Sequence, residues 1–129
     1  MEEAIQSGIK EVIVVNHPRK KLIEDYFRSP ETRMQDIEVT FVYQEEPLGL
    51  GHAVLCAEKA VGEEPFVVLL PDVIIDAPVP ATQQLLNIVK PRGEWGLLLE
   101  TSPMESVSSC GVIVGETAGP NLYRIKMAI

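Results

Sequence analysis

Residues 37–72 read IEVTFVYQEEPLGLGHAVLCAEKAVGEEPFVVLLPD, and this stretch decides the fold class. It opens with a β-branched and aromatic run, 37–43, that is typical of a strand. A glycine-bearing loop, 45–51, leads into a segment whose apolar residues recur at helical spacing as far as Val61. Gly62 predicts the end of that helix. The continuous apolar run 65–72 then predicts a strand buried on both faces, as in a parallel sheet.

The flanking sequence continues this alternation of helix and strand. The pattern predicts helices at 2–7, 18–27 (with Pro18 in the first turn) and 81–89, strands at 11–17 and 94–101, and a polar loop at 29–36. The chain then changes character, because two strand-like runs around a turn predict an antiparallel hairpin at 110–115 and 121–127. Strands that alternate with helices indicate an α/β fold with right-handed crossovers.

Length, charge and cysteine content disfavour several classes of protein. The chain has 129 residues, which predicts a single domain over 1–129, and a net charge of −8, which disfavours a nucleic-acid partner. No apolar run is long enough to cross a membrane, so no membrane association is expected. The two cysteines lie 54 positions apart and predict reduced thiols and a cytoplasmic protein rather than a disulfide scaffold.

Three polar features lie at the carboxyl ends of the predicted strands: Asn16-His17, Gln44 with its glycine loop, and Asp72. In doubly wound sheets, ligands bind beyond the carboxyl ends of the strands. A carboxylate at the position of Asp72 suits a hard cation such as Mg²⁺, usually together with substrate phosphates, although a turn or helix-capping aspartate explains it equally. Gln44 can donate to and accept from one base edge, and the alternative is an ordinary tight strand-to-helix turn.

The two histidines and the two thiols carry weaker signals. His17 and His52 have no neighbouring cysteine or glutamate at metal spacing, so we interpret both as capping or packing residues. No arrangement of histidine and aspartate activates Cys56 or Cys110 as a nucleophile.

Several motifs together resemble the bacterial UTP–glucose-1-phosphate uridylyltransferases. The resemblance spans nearly the whole chain and rests on the runs Gln44-x-x-Pro47-Leu48-Gly49-Leu50-Gly51-His52-Ala53-Val54, Leu69-Leu70-Pro71-Asp72-Val73-Ile74-Ile75-Asp76 and Cys110-Gly111-Val112-Ile113. It implies a Rossmann-like three-layer nucleotidyltransferase core with a C-terminal hairpin. It also implies a reaction of UTP with glucose 1-phosphate that uses Mg²⁺. Gln44, Gly49 and Gly51 would then face the uracil, Asp72 would hold Mg²⁺, and Gly111 would lie near the sugar. Cys110 departs from the family's usual tyrosine.

The resemblance also implies what this sequence does not contain. The family's first strand and its glycine-rich signature, and its later glutamate, lysine and second aspartate, match nothing here, so we expect a truncated domain with no catalytic residue of its own. The expected function is weak binding of Mg²⁺–UTP or of a UDP-sugar, and the sequence leaves the choice between UTP and dTTP open, since related enzymes use dTTP on the same fold. The alternatives are a non-catalytic self-associating module and an enzyme half completed by another chain.

In the family's complete fold the first strand separates strands 11–17 and 65–72. Without it, either those two strands close up or another chain covers their edges. We therefore expect a homodimer or another homo-oligomer.

Overall fold

The computed structural model describes residues 1–32 and 37–129, so part of the predicted loop 29–36 lies outside the described residues. The chain divides into two compact units, 1–96 and 97–129, and each is described by itself. The α-helices are α1 (Glu2–Gln6), α2 (Lys21–Arg28), α3 (Leu50–Cys56), α4 (Glu58–Val61) and α5 (Ala81–Val89), the strands are β1 (Glu11–Asn16), β2 (Glu38–Tyr43), β3 (Ile113–Gly119) and β4 (Leu122–Ala128), and short 3₁₀ turns cover Lys90–Arg92 and Val107–Ser109.

The first unit is built on a parallel pair of strands. β1 pairs with β2 in a register that runs from Glu11 opposite Glu38 to Asn16 opposite Tyr43. Their β-branched residues suit a pleated, half-buried surface. The parallel pairing confirms the α/β class predicted from the alternation of strand and helix.

The hydrogen bonds at the two ends of this ladder define which edge of β1 is occupied. The C=O of Lys10 accepts from the Glu38 N–H at 2.7 Å, and the C=O of Asn16 accepts from the Gln44 N–H at 2.8 Å. Because backbone groups alternate along a strand, the even-numbered residues of β1 face β2. The N–H and C=O groups of Glu11, Ile13 and Val15 therefore face the other edge, where the described residues supply no ladder.

A small core lies where α1 meets α5. Ala4 of α1 and Ala81 and Thr82 of α5 are buried. Pro80, which precedes α5, provides no side-chain cap. The Glu3 carboxylate of α1 instead accepts a hydrogen bond from the Thr82 N–H at 2.6 Å. Two helices that are far apart in sequence are thus joined at one end of α5.

Two predicted strands are wrong. Neither 65–72 nor 94–101 has a ladder partner among the described residues, and both are without regular secondary structure through their apolar stretches. Their side chains are accordingly exposed, with Phe66 at 58% and Trp95 at 83%. An apolar run becomes a buried strand only when neighbouring strands satisfy its backbone, and here none does. Of the two arrangements expected for the unpaired edges, the closing of 65–72 onto β1 is not observed.

Two helices differ from prediction by more than one residue, while α1 and the end of α2 differ by one. α2 begins at Lys21 rather than Pro18, because the Lys20 N–H bonds to the His17 C=O at 2.8 Å and closes a separate turn. The helix predicted after the glycine loop divides into α3 and α4 at Ala57, whose N–H bonds to the Val54 C=O three residues back, as in a 3₁₀ turn. The predicted end at Gly62 is confirmed, with a φ of 64°.

The second unit is an antiparallel hairpin, as predicted, but its turn is shorter than expected, because residues 116–119, which lie between the two predicted strands, belong to β3. β3 and β4 pair from Ile113 opposite Ala128 to Gly119 opposite Leu122, with irregularities beside Gly115 and Gly119. The connection is the pair Pro120-Asn121, and Asn121 has a φ of 52°. Proline followed by a residue of positive φ is the signature of a type II turn, whose twist matches hairpin strands poorly.

Candidate nucleotide-binding site

The loop between β2 and α3 brings three of the residues named by the sequence motif into hydrogen-bond contact. The Gln44 side-chain Nε2 lies 3.1 Å from the Gly49 carbonyl oxygen and 2.9 Å from Nδ1 of His52. On the other side of the imidazole, His52 Nε2 lies 4.0 Å from Cys56 Sγ. The loop is therefore closed by side-chain bonds from its first residue to the first turn of α3.

The backbone of Gln44 is fixed as firmly as its side chain. Its N–H bonds to the Asn16 C=O, which ties the start of the loop to the end of β1. This bond is the last of the parallel ladder, so the sheet itself positions Gln44. The expectation that Asn16 and Gln44 share the carboxyl edge of the strands is met by this contact.

Gly49 and Gly51 leave open space beside the loop. Gly49 has a φ of 95°, which side chains rarely tolerate, and it stands immediately before α3. A Cβ built on either glycine would meet no atom within 4 Å. These glycines are therefore not required by close packing within the described residues, and the backbone at both positions is open to a ligand.

Asp72 lies in a turn after the apolar run and is exposed. No group of three or more histidine, cysteine or acidic residues that could hold a metal occurs among residues 1–32 and 37–129. A single exposed carboxylate does not make a resident metal site. It does match the way Mg²⁺ is commonly held, by one or two carboxylates together with water and substrate phosphates. Asp72 therefore supplies one oxygen-bearing ligand of the several that such a cation needs.

His17 belongs to a local turn, in keeping with the capping role expected for it. The side chain of Asn16 donates to the Lys20 C=O at 2.9 Å and accepts from the His17 N–H at 2.8 Å. His17 Nδ1 in turn accepts from the Arg19 N–H at 3.1 Å. These bonds explain why a turn stands between β1 and α2.

Gly111 and Cys110 lie in the second unit, between the Val107–Ser109 turn and β3. Both residues are exposed, and a Cβ on Gly111 would meet nothing within 4 Å. Both cysteines are free thiols, as expected, with Cys56 partly buried and Cys110 exposed.

A polar cavity of about 460 Å³ lies in the first unit, between α2 and the end of β2, and no sequence motif predicted it. Glu24 is nearly buried there and pairs with Arg28 at 3.4 Å. The pKa of Tyr43 is raised, chiefly by hydrogen bonding with the Glu24 side chain, then by desolvation and by the negative charge of Glu24, while Arg28 acts in the opposite direction. The i, i+4 spacing of Glu24 and Arg28 signals the ion pair, but nothing in the sequence signals the contact with Tyr43.

Comparison with known proteins identifies the fold that this loop belongs to. The family model described as nucleotidyl transferase matches residues 1–126. The chain belongs to the nucleotidyl transferase family. It is 35% identical to the UTP–glucose-1-phosphate uridylyltransferase YngB of Bacillus subtilis (strain 168) and 32% identical to a second uridylyltransferase of that strain, with 98% of this chain aligned in each case.

Solved structures agree with this assignment. A UDP-glucose pyrophosphorylase complexed with UDP-glucose superposes with a TM-score of 0.91 at 28% identity, over 99% of this chain and 53% of that one. A UTP-bound enzyme of the same kind from Acinetobacter baumannii gives 0.89 at 26%, with the same coverage. The predicted nucleotidyltransferase core is therefore confirmed.

The chain spans about half the length of the curated relatives it matches, 49% and 50% of the two from Bacillus subtilis. Within the described residues, no helix is both long and apolar enough to span a bilayer.

Proposed function

We propose that this chain is the uridine-nucleotide-binding half of a sugar-phosphate nucleotidyltransferase, which binds UTP or a UDP-sugar but does not transfer a nucleotidyl group by itself. The observation that carries the proposal is the closed Gln44 loop, in which a polar side chain stands beside the open backbone of Gly49. Family membership and the names of the relatives support the choice of ligand. The net charge of −8 continues to argue against nucleic acid.

The proposed ligand contacts divide between two places on the chain. Gln44 and the backbone at Gly49 and Gly51 would meet the base, and Gly111 would lie towards the sugar. Asp72 would hold Mg²⁺ jointly with the nucleotide's phosphates, and the ion would supply neutralisation of phosphate charge. These roles follow from the resemblance and are compatible with the exposure of each residue.

Transfer by this chain alone is not expected, for a physical reason. Aligning two reactants can lower a barrier by about 7–11 kcal/mol, but only when both are held in the reacting geometry. One loop around Gln44 and one exposed carboxylate, Asp72, do not hold two reactants in that geometry. Binding without turnover is therefore the expected behaviour.

Titration calorimetry with UTP, in the presence and absence of Mg²⁺, tests this function. We expect saturable binding that weakens in Gln44→Ala with or without the ion, and that weakens in Asp72→Asn only when Mg²⁺ is present. Asp76→Asn is the matched control, because Asp76 is an exposed aspartate four residues further on. Absence of binding at millimolar UTP, or equal losses in Asp72→Asn and Asp76→Asn, would contradict the proposal.

We also propose that the chain forms a homodimer through the free edge of β1. A twofold axis through Ile13 would pair two β1 strands antiparallel and join both sheets into one. In this register Glu11 faces the second copy's Val15, so no charge meets a like charge along the strand. The outer edge of β1 has no ladder partner among the described residues, and exposed strand edges accept further strands.

Hydrogen exchange measured at several protein concentrations tests the dimer without a substitution. The amide protons of Glu11, Ile13 and Val15 should become more protected as concentration rises. Those of Val12, Val14 and Asn16 already face β2 and serve as internal controls. A concentration-independent pattern, or new protection at Val39, Phe41 and Tyr43 on the outer edge of β2, would overturn this interface.

The free thiols and the family are compatible with the cytoplasmic location that we propose.

A further inference from the structure

The hydrogen bonds of Gln44 can be assigned atom by atom. The Gly49 carbonyl oxygen can only accept, so the atom 3.1 Å from it must be the amide nitrogen of Gln44. That carbonyl also accepts from the Ala53 N–H at 3.1 Å. One of the two N–H groups of Gln44 is therefore committed to Gly49, and the second is directed at His52.

The second bond fixes the tautomer of His52. Because the Gln44 nitrogen donates across 2.9 Å, Nδ1 of His52 must be the unprotonated, accepting nitrogen. A neutral imidazole then carries its proton on Nε2, which points towards Cys56 Sγ, a weak acceptor 4.0 Å away. The contacts of both ring nitrogens are therefore consistent with the same tautomer.

Because both N–H groups of the Gln44 side chain are hydrogen-bonded, only its amide oxygen is available to a ligand. Its Oε1 has no hydrogen-bond partner among residues 1–32 and 37–129, and the side chain is only partly buried. An amide oxygen is purely an acceptor. It pairs with a base whose ring nitrogen carries a proton, as in uracil or thymine, and it repels cytosine, whose corresponding ring nitrogen is itself an acceptor.

We infer that His52 is a positioning residue that sets base selectivity, because it holds the amide of Gln44 with its oxygen towards the base. The inference rests on the proposed nucleotide-binding function and deepens it. His52 touches no ligand in this scheme and acts only through Gln44. Loss of its acceptor leaves the amide held by Gly49 alone and free to turn.

Two matched substitutions separate this role from simple packing. His52→Asn places an amide oxygen near the position of Nδ1 and should retain discrimination between UTP and CTP. His52→Gln places its polar atoms near the position of Nε2 instead, and should lower the ratio of UTP to CTP affinity about tenfold, because the amide of Gln44 then loses its second acceptor. Equal ratios in the two variants, with both folded by circular dichroism, would overturn the inference.

The tautomer gives a readout that needs no nucleotide. Long-range ¹H–¹⁵N spectra of the imidazole at pH 8 should show an unprotonated Nδ1 and a protonated Nε2, and Gln44→Leu should mix the two tautomers. A protonated Nδ1 in the unmodified protein would refute the assigned orientation. If neither UTP nor CTP binds, the proposed function fails, while the spectra still decide the orientation of Gln44.

Discussion

The carboxylate of Glu3 accepts a hydrogen bond from the backbone N–H of Thr82, at 2.6 Å and 79 positions away in sequence. The first N–H groups of a helix have no partner within it, and a carboxylate there satisfies one of them and complements the helix dipole. α5 has no cap of its own, since it follows Pro80. The start of the chain therefore completes a helix near the end of the first unit.

Replacing Glu3 should destabilise the chain by the free energy that this capping hydrogen bond contributes. We expect Glu3→Ala to lower the free energy of unfolding by about 1 kcal/mol, within the range measured for helix caps. Urea unfolding followed by circular dichroism measures the loss. Glu2→Ala is the matched control, because Glu2 is the exposed neighbour on α1. Equal effects of the two substitutions would show that the carboxylate does not cap α5.

The contact between Glu24 and Tyr43 predicts a pH dependence. The pKa of Tyr43 is raised, so the neutral hydroxyl is the form that the folded state favours. The stability it contributes is complete below the usual tyrosine pKa of about 10 and is lost as the pH rises through the higher folded value. Absorbance at 295 nm follows the ionisation, with Tyr43→Phe identifying its component. Glu24→Gln should move that component to lower pH, and an unchanged titration would contradict the assigned cause.

The hairpin predicts a steric effect at one of its two strand glycines. A Cβ on Gly115 would stand 2.9 Å from the Arg124 carbonyl oxygen, a backbone atom that cannot move aside cheaply. Gly115→Ala should destabilise the hairpin by about 1–3 kcal/mol, as overpacking does. Gly119→Ala is the control on the same strand, because its Cβ would meet Leu122 at an ordinary 3.8 Å. Amide exchange of β3 and β4 should quicken only in Gly115→Ala.

Charge predicts how the proposed dimer responds to salt. Each copy carries −8, so association brings like net charges together. Salt screens such repulsion beyond about 8–10 Å at 0.10–0.15 M. Light scattering at micromolar concentration should therefore show a larger dimer fraction at 0.5 M than at 0.05 M sodium chloride. A monomer at both salt concentrations would exclude the dimer itself.

The sequence predicted the elements that form local hydrogen bonds, such as a helix, and the two strands that pair with each other. Helix 81–89 has the predicted bounds, and strands 11–17 and 37–43 are each shortened by one residue. The runs 65–72 and 94–101 carry an equally strong strand pattern, yet they form none. A strand forms only when an adjacent strand supplies ladder hydrogen bonds. A hydrophobic pattern shows that a segment is suited to burial, but it does not show that such an adjacent strand is present.

The candidate site likewise contains residues that the sequence predicted and one that it did not. Gln44 and the glycines stood out because their residue types and spacing carry chemistry. His52 was interpreted as a capping or packing residue, since a lone histidine has no pattern of its own. Its contact with Gln44 spans eight positions and depends on how the Gly49 backbone turns, which no local propensity encodes. The predicted roles of Asp72 and Gly111 stay predictions.

The exposed run from Phe66 to Leu70 bears on the fate of the chain in a cell. Stretches without ladder hydrogen bonds open readily to proteases, and bulky apolar side chains are what many proteases and chaperones recognise. A molecule that covers this run would lengthen the lifetime of the chain as well as bind it. The steady-state abundance of the protein would then report how much of it is covered.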